Sequence, residues 1–262
     1  MSYDTITLAI DGNVATLTLN RPEAANAMNP QMARELSSAA IVCDEDPAIR
    51  ALILTGSGRM FCAGGDLGEF AAAGDGRPAL IKEMAGDLHL AISRLSRMTA
   101  PVIAAVNGTA AGAGFSLAVA ADLAISADNA RYVMAYTNAG LSPDGSSTYF
   151  LPRRIGDRRA RELMLTNRML KADEAAAWGL VNEVVPADDL MTRANELAST
   201  LAAGPTLAFG EVKTLLNASF DNGLETQMEL ESRAIARMSG TRDGGEGIAA
   251  FLEKRGADFK GE

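Results

Sequence analysis

The sequence predicts an α/β fold that ends in a helical tail, and three observations carry that prediction. Two short segments, "ALILTG" (51–56) and "PVIAAVNG" (101–108), are almost wholly apolar, as expected of strands covered on both faces. Each runs into a glycine-rich loop, and the second loop, "TAAGAG", opens directly onto the helix-like run "FSLAVAADL". From about Pro205 to Phe251 the apolar residues keep a helical period, with turns at "DNG" and "RDGG" and no strand-like segment. The expected organisation is an α/β core over residues 1–200 and a helical region over 201–262.

The elements follow in order. "TITLAI", the turn "DGN" and the alternating "VATLTLN" read as a β-hairpin. "RPEAANAMNP" is a loop, and Asn29-Pro30 starts a helix that runs to about Cys43. The strand "ALILTG" leads into the loop "GRMFCAGGDL" (58–67). The Ala/Gly-rich stretch "FAAAGDGRPALIK" (70–82) reads as a flexible wall. From about Pro78 to Arg97 a helix carries Ile81, Met84, Leu88, Ile92 and Leu95 on one stripe. "AISAD" and "ARYVM" are short strands. After Asp157 the pattern is helical, broken by the strand-like "GLVNEVV", with Trp178 read as core. No internal repeat of fixed period is visible.

Composition narrows the function classes. The 262 residues carry a formal charge of -9, which disfavours nucleic-acid binding through a broad basic face. The basic run "RRIGDRRAR" reads as a solvated helix start or a subunit contact. Two cysteines, Cys43 and Cys62, make no disulfide framework, which suits a reducing compartment. "MSYDTITLAIDG" has no basic segment followed by an apolar run, so no signal peptide is expected. The long apolar stretch 101–126 is interrupted by Asn107, Gly108 and Asp122, which argues against a membrane span. A cytoplasmic protein is the expectation. No His/Cys/Asp/Glu spacing resembles a metal site.

The loop "GRMFCAGGDL" places much backbone and few reactive side chains at one point. It matches neither a P-loop nor GxGxxG. Glycines leave amide N–H groups uncovered, and "NGTAAGAGFSLAVA" repeats the arrangement at a helix N-terminus, where the partial positive charge of the helix adds to them. Two such loops could aim two N–H groups at one carbonyl oxygen, forming an oxyanion hole. Buried Gly/Ala loops also serve as packing devices, and spacing alone leaves both readings open.

"LNRPEAANAMN", "GRMFCAGGDL", "PVIAAVNGTAAGAGFSLAVAADLAIS", "KADEAAAWGLVNEVV" and the closing "FLEKRGADF" together resemble the enoyl-CoA hydratase/isomerase (crotonase) family, from about Ile6 to the end of the chain. The resemblance implies a ClpP-like spiral of ββα units with a C-terminal helical trimerisation region. It also implies assembly as trimers, often paired into hexamers. A coenzyme A thioester would be the substrate, with no separate cofactor. The resemblance assigns the oxyanion hole to the N–H groups of Gly65 and Ala113, and places coenzyme A near Ala63, Asp66 and Leu67. Ala24-Ala25 stand where many relatives carry a Lys or Arg near the phosphates, which leaves Arg21 and Arg59 as nearby cations. Phe259 and Lys260 sit where relatives close over the adenine, often from a neighbouring subunit.

Fold alone does not choose among the reactions of such a family. The hydratases it resembles position water with two glutamates, and the matching positions here are Ser116 and Tyr136. A hydroxyl and a phenol are poor bases near neutrality. Asp144, in the turn "SPDG", matches the base of family isomerases, which move a proton between C2 and C4 of an enoyl-CoA; turn chemistry by itself also explains an aspartate there. The expected activity is therefore 3,2-enoyl-CoA isomerisation by Asp144, with Tyr136 and His89 as lesser pocket candidates. Three alternatives stand beside it. One is a hydratase-like enzyme using Asp144 and an ordered water. Another is an aroyl-CoA dehalogenase, with Asp144 as nucleophile and His89 activating water. The last is a member that binds thioesters without turnover.

Overall fold

Residues 2–262 are described by a computed structural model. The hairpin forms as expected: β1 (Ile6–Asp11) pairs antiparallel with β2 (Val14–Leu19). Helix α1 (Pro30–Glu45) begins where its caps dictate. The Asn29 side chain accepts the Met32 N–H and Pro30 occupies the first turn, where its missing N–H costs nothing.

From β3 onward the chain winds as a spiral of two-strand units. β3 (Ala51–Gly56) and β4 (Met60–Cys62) precede α2 (Leu67–Ala72) and α3 (Arg77–Arg97). β5 (Val102–Val106) and β6 (Thr109–Ala111) precede α4 (Ala113–Ala120). β7 (Leu123–Ala127) and β8 (Arg131–Val133) repeat the strand pair. In each unit the first strand joins one sheet and the second joins another. The larger sheet has the order β1-β2-β3-β5-β7-β10, parallel from β2 onward, and the smaller has the order β4-β6-β8-β9. Strand β9 (Leu170–Lys171) closes the small sheet antiparallel to β8. Between them and beyond lie α5 (Ser147–Ile155), α6 (Asp157–Thr166), α7 (Ala172–Ala177) and β10 (Glu183–Val185). The turns between paired strands are stitched by Asn107, whose Oδ1 accepts the Gly56 N–H at 3.2 Å while Nδ2 donates to the Gly58 carbonyl at 3.0 Å.

Several expectations change. "GRMFCAGGDL" and "NGTAAGAG" are not loops throughout, since Met60–Cys62 and Thr109–Ala111 pair as β4 and β6. The stretch 70–82 is helical except for a single tight turn at Gly74–Gly76. Asp66 caps α2 by accepting the Gly68 and Glu69 N–H groups, and Arg77 Nε donates to the Phe70 carbonyl, tying α3 back onto α2. Trp178 is half-buried, with the guanidinium groups of Arg159 and Arg168 at 4.7 and 4.8 Å from its ring centre.

The core is small-residue rich. Ala15, Ala51, Ala104, Ala105 and Ala110 line the strands, and the largest buried side chains are Tyr132, Phe61 and Phe115. The chain ends in α8 (Leu190–Ala202), α9 (Thr206–Ala218), α10 (Leu224–Ser239) and α11 (Arg242–Glu253). Helix α9 is fastened to the core by Lys213, whose Nζ lies 2.7 Å from Asp122 Oδ2 and donates to the carbonyls of Leu95 and Ala100. Among the described residues, no helix is long and apolar enough to cross a membrane.

Candidate active site

The loop after β4 is built by main-chain pairing with "LNRPEAANAMN". Asn26, buried and at φ 55°, sends Nδ2 to the carbonyls of Ser57 and Met60 and accepts the Arg21 N–H. With that segment fixed, the Met28 N–H donates to the Gly64 carbonyl and the Asp66 N–H donates to the Met28 carbonyl, a parallel bridge between Met28 and Gly65. In such a bridge the residue opposite uses its neighbours' groups, so Gly65 turns its own N–H away from Met28 and towards the pocket that it lines.

The second loop is held as firmly. The Gly112 N–H donates to the Val133 carbonyl, and Gly112 adopts φ 48°, ψ −120°, a conformation open to glycine. Ala113 is then the first residue of α4, where helix geometry leaves its N–H without an intrahelical acceptor. The two loops meet glycine to glycine: a Cβ on Gly112 would stand 3.4 Å from the Gly64 Cα. Gly65 and Ala113 line one pocket of about 300 Å³. Their N–H groups are free of acceptors among the described residues, and the N-terminus of α4 adds its partial charge. A carbonyl oxygen seated between them would be stabilised as it gains negative charge.

Apolar walls surround that position: Leu67 and Phe70 from α2, Ile81, Met84 and Leu88 from α3, and Leu141. Asp144 is the one carboxylate on the lining among the described residues. Its Oδ1 accepts the Tyr136 hydroxyl at 2.6 Å. The Ser116 hydroxyl lies 3.0 Å from the Tyr136 oxygen and 2.9 Å from the Asp144 carbonyl, so its single proton serves one of them. Burial first, and the Asp144 charge second, push the Tyr136 phenol well above its ordinary value, so it remains a donor at any working pH. His89 Nε2 accepts the Gly145 N–H at 3.1 Å and stands 3.7 Å from Asp144 Oδ2.

Gly65, Ala113, Tyr136, Asp144, Ala63 and Leu67 thus converge on one pocket. Asp66 and Arg21 stand beside it, bound to each other at 3.1 Å, with Asp66 also capping α2 and Arg21 donating to the Ala27 carbonyl. Phe259 and Lys260 lie elsewhere in the chain. Phe259 packs on Gly247 and its carbonyl accepts from Arg50; the Lys260 N–H donates to Asp243. Phe70 and Lys82 end the stretch 70–82 that the sequence presents as a wall, but neither is singled out within it. Phe70 packs on Gly65, where a Cβ would meet its ring at 2.8 Å, and Lys82 supplies the pocket's one cation among the described residues. Phe70 was legible as a residue one turn beyond the Asp66 cap; Lys82 carried no signal.

The two-sheet spiral and the apolar pocket between its two glycine loops suit a family of acyl-thioester enzymes, and the comparisons identify that family. Residues 9–262 match the model of the enoyl-CoA hydratase/isomerase family. A probable enoyl-CoA hydratase of Rhodobacter capsulatus is 42% identical, covering 100% of both chains. A 1,2-epoxyphenylacetyl-CoA isomerase of Escherichia coli is 41% identical over 97% of each chain. The crystal structure of an enoyl-CoA hydratase from Polaromonas superposes with a TM-score of 0.93 at 37% identity, covering 97% of this chain and 99% of that one. The chain belongs to the enoyl-CoA hydratase/isomerase family and has its crotonase fold, as an enzyme acting on acyl-CoA.

Proposed function

We propose that the protein isomerises 3-enoyl-CoA to 2-enoyl-CoA with Asp144 as the only proton carrier. The observation that carries this reading is the single carboxylate, among the described residues, on a largely apolar pocket beside two free N–H groups. The thioester carbonyl would accept from Gly65 and Ala113, which acidifies the C2 proton. Asp144 removes that proton to leave a dienolate, then returns it at C4, so that the double bond moves into conjugation and the carboxylate is regenerated. Syn-hydration needs a second acid–base group to hand a proton to carbon, and Ser116 and Tyr136 are both committed to Asp144. Ala63 and Leu67 would flank the coenzyme A chain, with Arg21 and Asp66 behind it and Phe259 and Lys260 supplied from a neighbouring copy. The thioester is itself the substrate, and no further cofactor enters this scheme.

A spectrophotometric assay with a short 3-enoyl-CoA, following the conjugated thioester, tests the reading. Asp144→Asn should lose at least about 100-fold in kcat while still binding the thioester, the range for a positioned general base. An Asn variant as active as the parent would remove Asp144 from the mechanism.

Two rivals each have an observation behind them. The E. coli relative is named for an epoxide on a phenylacetyl thioester, which makes a ring-bearing acyl group the second substrate class. The 3.7 Å approach of His89 to Asp144 favours an aroyl-CoA displacement with His89 as base, but Nε2 already accepts the Gly145 N–H. Assaying both thioesters beside the enoyl substrate separates the three.

We infer further that copies of the chain cover the apolar faces of the tail, as trimers or hexamers. Val212, Leu216, Phe220, Leu224, Met228 and Ile235 are exposed on or beside α9 and α10. Sedimentation equilibrium returning only a 27.4 kDa monomer would remove this inference.

A further inference from the structure

We propose that His89 is the port through which the proton held by Asp144 exchanges with solvent. The proposal rests on the reading of Asp144 as proton carrier and goes beyond it, because a shuttle between C2 and C4 needs no exchange at all.

The geometry has three parts. First, His89 belongs to a different cavity from Asp144. Asp144 lines the acyl pocket, whereas His89 lines a second cavity of about 740 Å³ between α3, α5 and α9, whose polar walls include Ser93, Ser96, Asn217 and Asp221. A space of that size and polarity holds water. Arg97, Tyr149 and Asp221 are the other ionisable groups on it. Second, His89 and Asp144 touch across the partition. Nε2 and Oδ2 are 3.7 Å apart, and their side chains are 51% and 30% exposed. Third, the other oxygen has no way out. Oδ1 is taken by Tyr136, whose hydroxyl abuts only the fully buried Ser116, itself turned towards the main-chain carbonyls of Gly112 and Asp144. With an acyl chain packed against Phe70, Met84, Leu88 and Leu141, the pocket side is closed to water as well.

Nε2 accepts the Gly145 N–H, which leaves the ring proton on Nδ1. For exchange, the half-exposed ring rotates so that the 3.7 Å gap closes to hydrogen-bond distance. The Oδ2–H bond breaks, an Nε2–H bond forms in place of the contact with Gly145, and the Nδ1 proton passes to a water of the second cavity. While the half-exposed ring is turned into the second cavity, the new Nε2–H bond breaks to a water and a solvent proton takes its place. In the reverse sequence a water proton returns to Nδ1 as the Nε2 proton passes to Oδ2, which leaves Asp144 with a solvent proton and no charge behind. His89 acts through Asp144 and touches no substrate atom.

The test is isomerisation of a short 3-enoyl-CoA in D2O, reading deuterium at C4 of the product per turnover by mass spectrometry. That ratio is unaffected by a loss of active enzyme. The parent should deposit deuterium. In His89→Gln, whose amide oxygen can keep the Gly145 contact but cannot relay a proton, deuterium per turnover should fall at least about fivefold, the scale expected when a positioned proton-transfer group is removed. His89→Ala should behave alike, and added imidazole, small enough for the second cavity, should restore the label. Unlabelled product from the parent, or equal labelling in both variants, overturns the proposal while leaving the isomerase reading intact. No conjugation by the parent, or full activity in Asp144→Asn, removes that reading and the proposal with it.

Discussion

The Tyr136 hydroxyl donates to Oδ1 of Asp144 at 2.6 Å, from a phenol held protonated by its own burial and by the charge it faces. Tyr136 and Ser116 are the two positions at which the resemblance points to a hydratase's glutamates; the first bonds the Asp144 carboxylate and the second its main-chain carbonyl. One carboxylate oxygen is pinned and the other is left for chemistry. Tyr136→Phe keeps the ring and deletes that hydrogen bond. Since a hydrogen bond to a charged group is worth about 1.5–3 kcal/mol, kcat should fall about 10- to 100-fold. Steady-state kinetics on the pure variant decides it; an unchanged kcat would show that Asp144 needs no orienting partner.

Ala113→Pro closes one side of the oxyanion site. Proline is well tolerated at the first position of a helix, which Ala113 occupies; it removes the N–H and puts a ring CH2 in its place, so donor and room for the oxygen are lost together. The variant should fold with a melting temperature near the parent's and lose about 100- to 1,000-fold in kcat. Retained turnover with an intact fold would mean that the carbonyl is held elsewhere.

Lys213 is a stability probe for the attachment of the tail. Its ammonium is 6% exposed, its pKa is lowered by burial against the opposing pull of Asp122, and its removal leaves that carboxylate without its closest cation. Lys213→Met should lower unfolding free energy by about 3–5 kcal/mol in urea titrations. Adding Asp122→Asn should recover part of that loss. A cost below 1 kcal/mol, on the scale of a surface pair, would show that α9 is anchored by packing alone.

Alkaline pH should unfold the protein before acid chemistry of the site matters. Burial raises the Cys43 thiol from 9.0 to about 12, helped by Asp46, and raises Cys62 from 9.0 to about 11. The Tyr132 phenol is pushed up by burial too. Each group holds its proton more tightly folded than unfolded. The stability that they contribute is therefore complete below the unfolded thiol value and is lost as pH rises through the folded values. Melting temperature should be flat up to about pH 9 and fall steeply between about 9 and 12. A flat profile to pH 12 would contradict the burial of these thiols.

Much of this was legible in the sequence, for reasons that can be named. The first strand of each unit is covered on both faces, so "ALILTG" and "PVIAAVNG" stand out as unbroken apolar runs. The second strands, Met60–Cys62 and Thr109–Ala111, are three residues long and glycine-flanked, too short to set up an alternation. The repeat was hidden for a related reason. The 21-residue α3 of one unit is matched by the 8-residue α4 of the next, so identical architecture has no fixed period. Asp144 was visible only through resemblance, because "SPDG" is also what an ordinary turn looks like. Its partnership with Tyr136, eight residues back, depends on how the turn at 136–139 folds over, which no local pattern encodes.

The parallel bridge between Met28 and Gly65 has a consequence for genetics. It aims an amide that every amino acid except proline possesses, and the amide at Ala113 is equally anonymous. Replacing the Ala113 side chain leaves the donor in place, and an alanine scan skips that position because it already holds alanine; at Gly65 the scan would register the Cβ pressed on the Phe70 ring rather than the amide. Drift can therefore rewrite the carboxylates and hydroxyls around a contact that remains unaltered, which gives a lineage room to exchange one reaction for another without first losing its hold on the thioester.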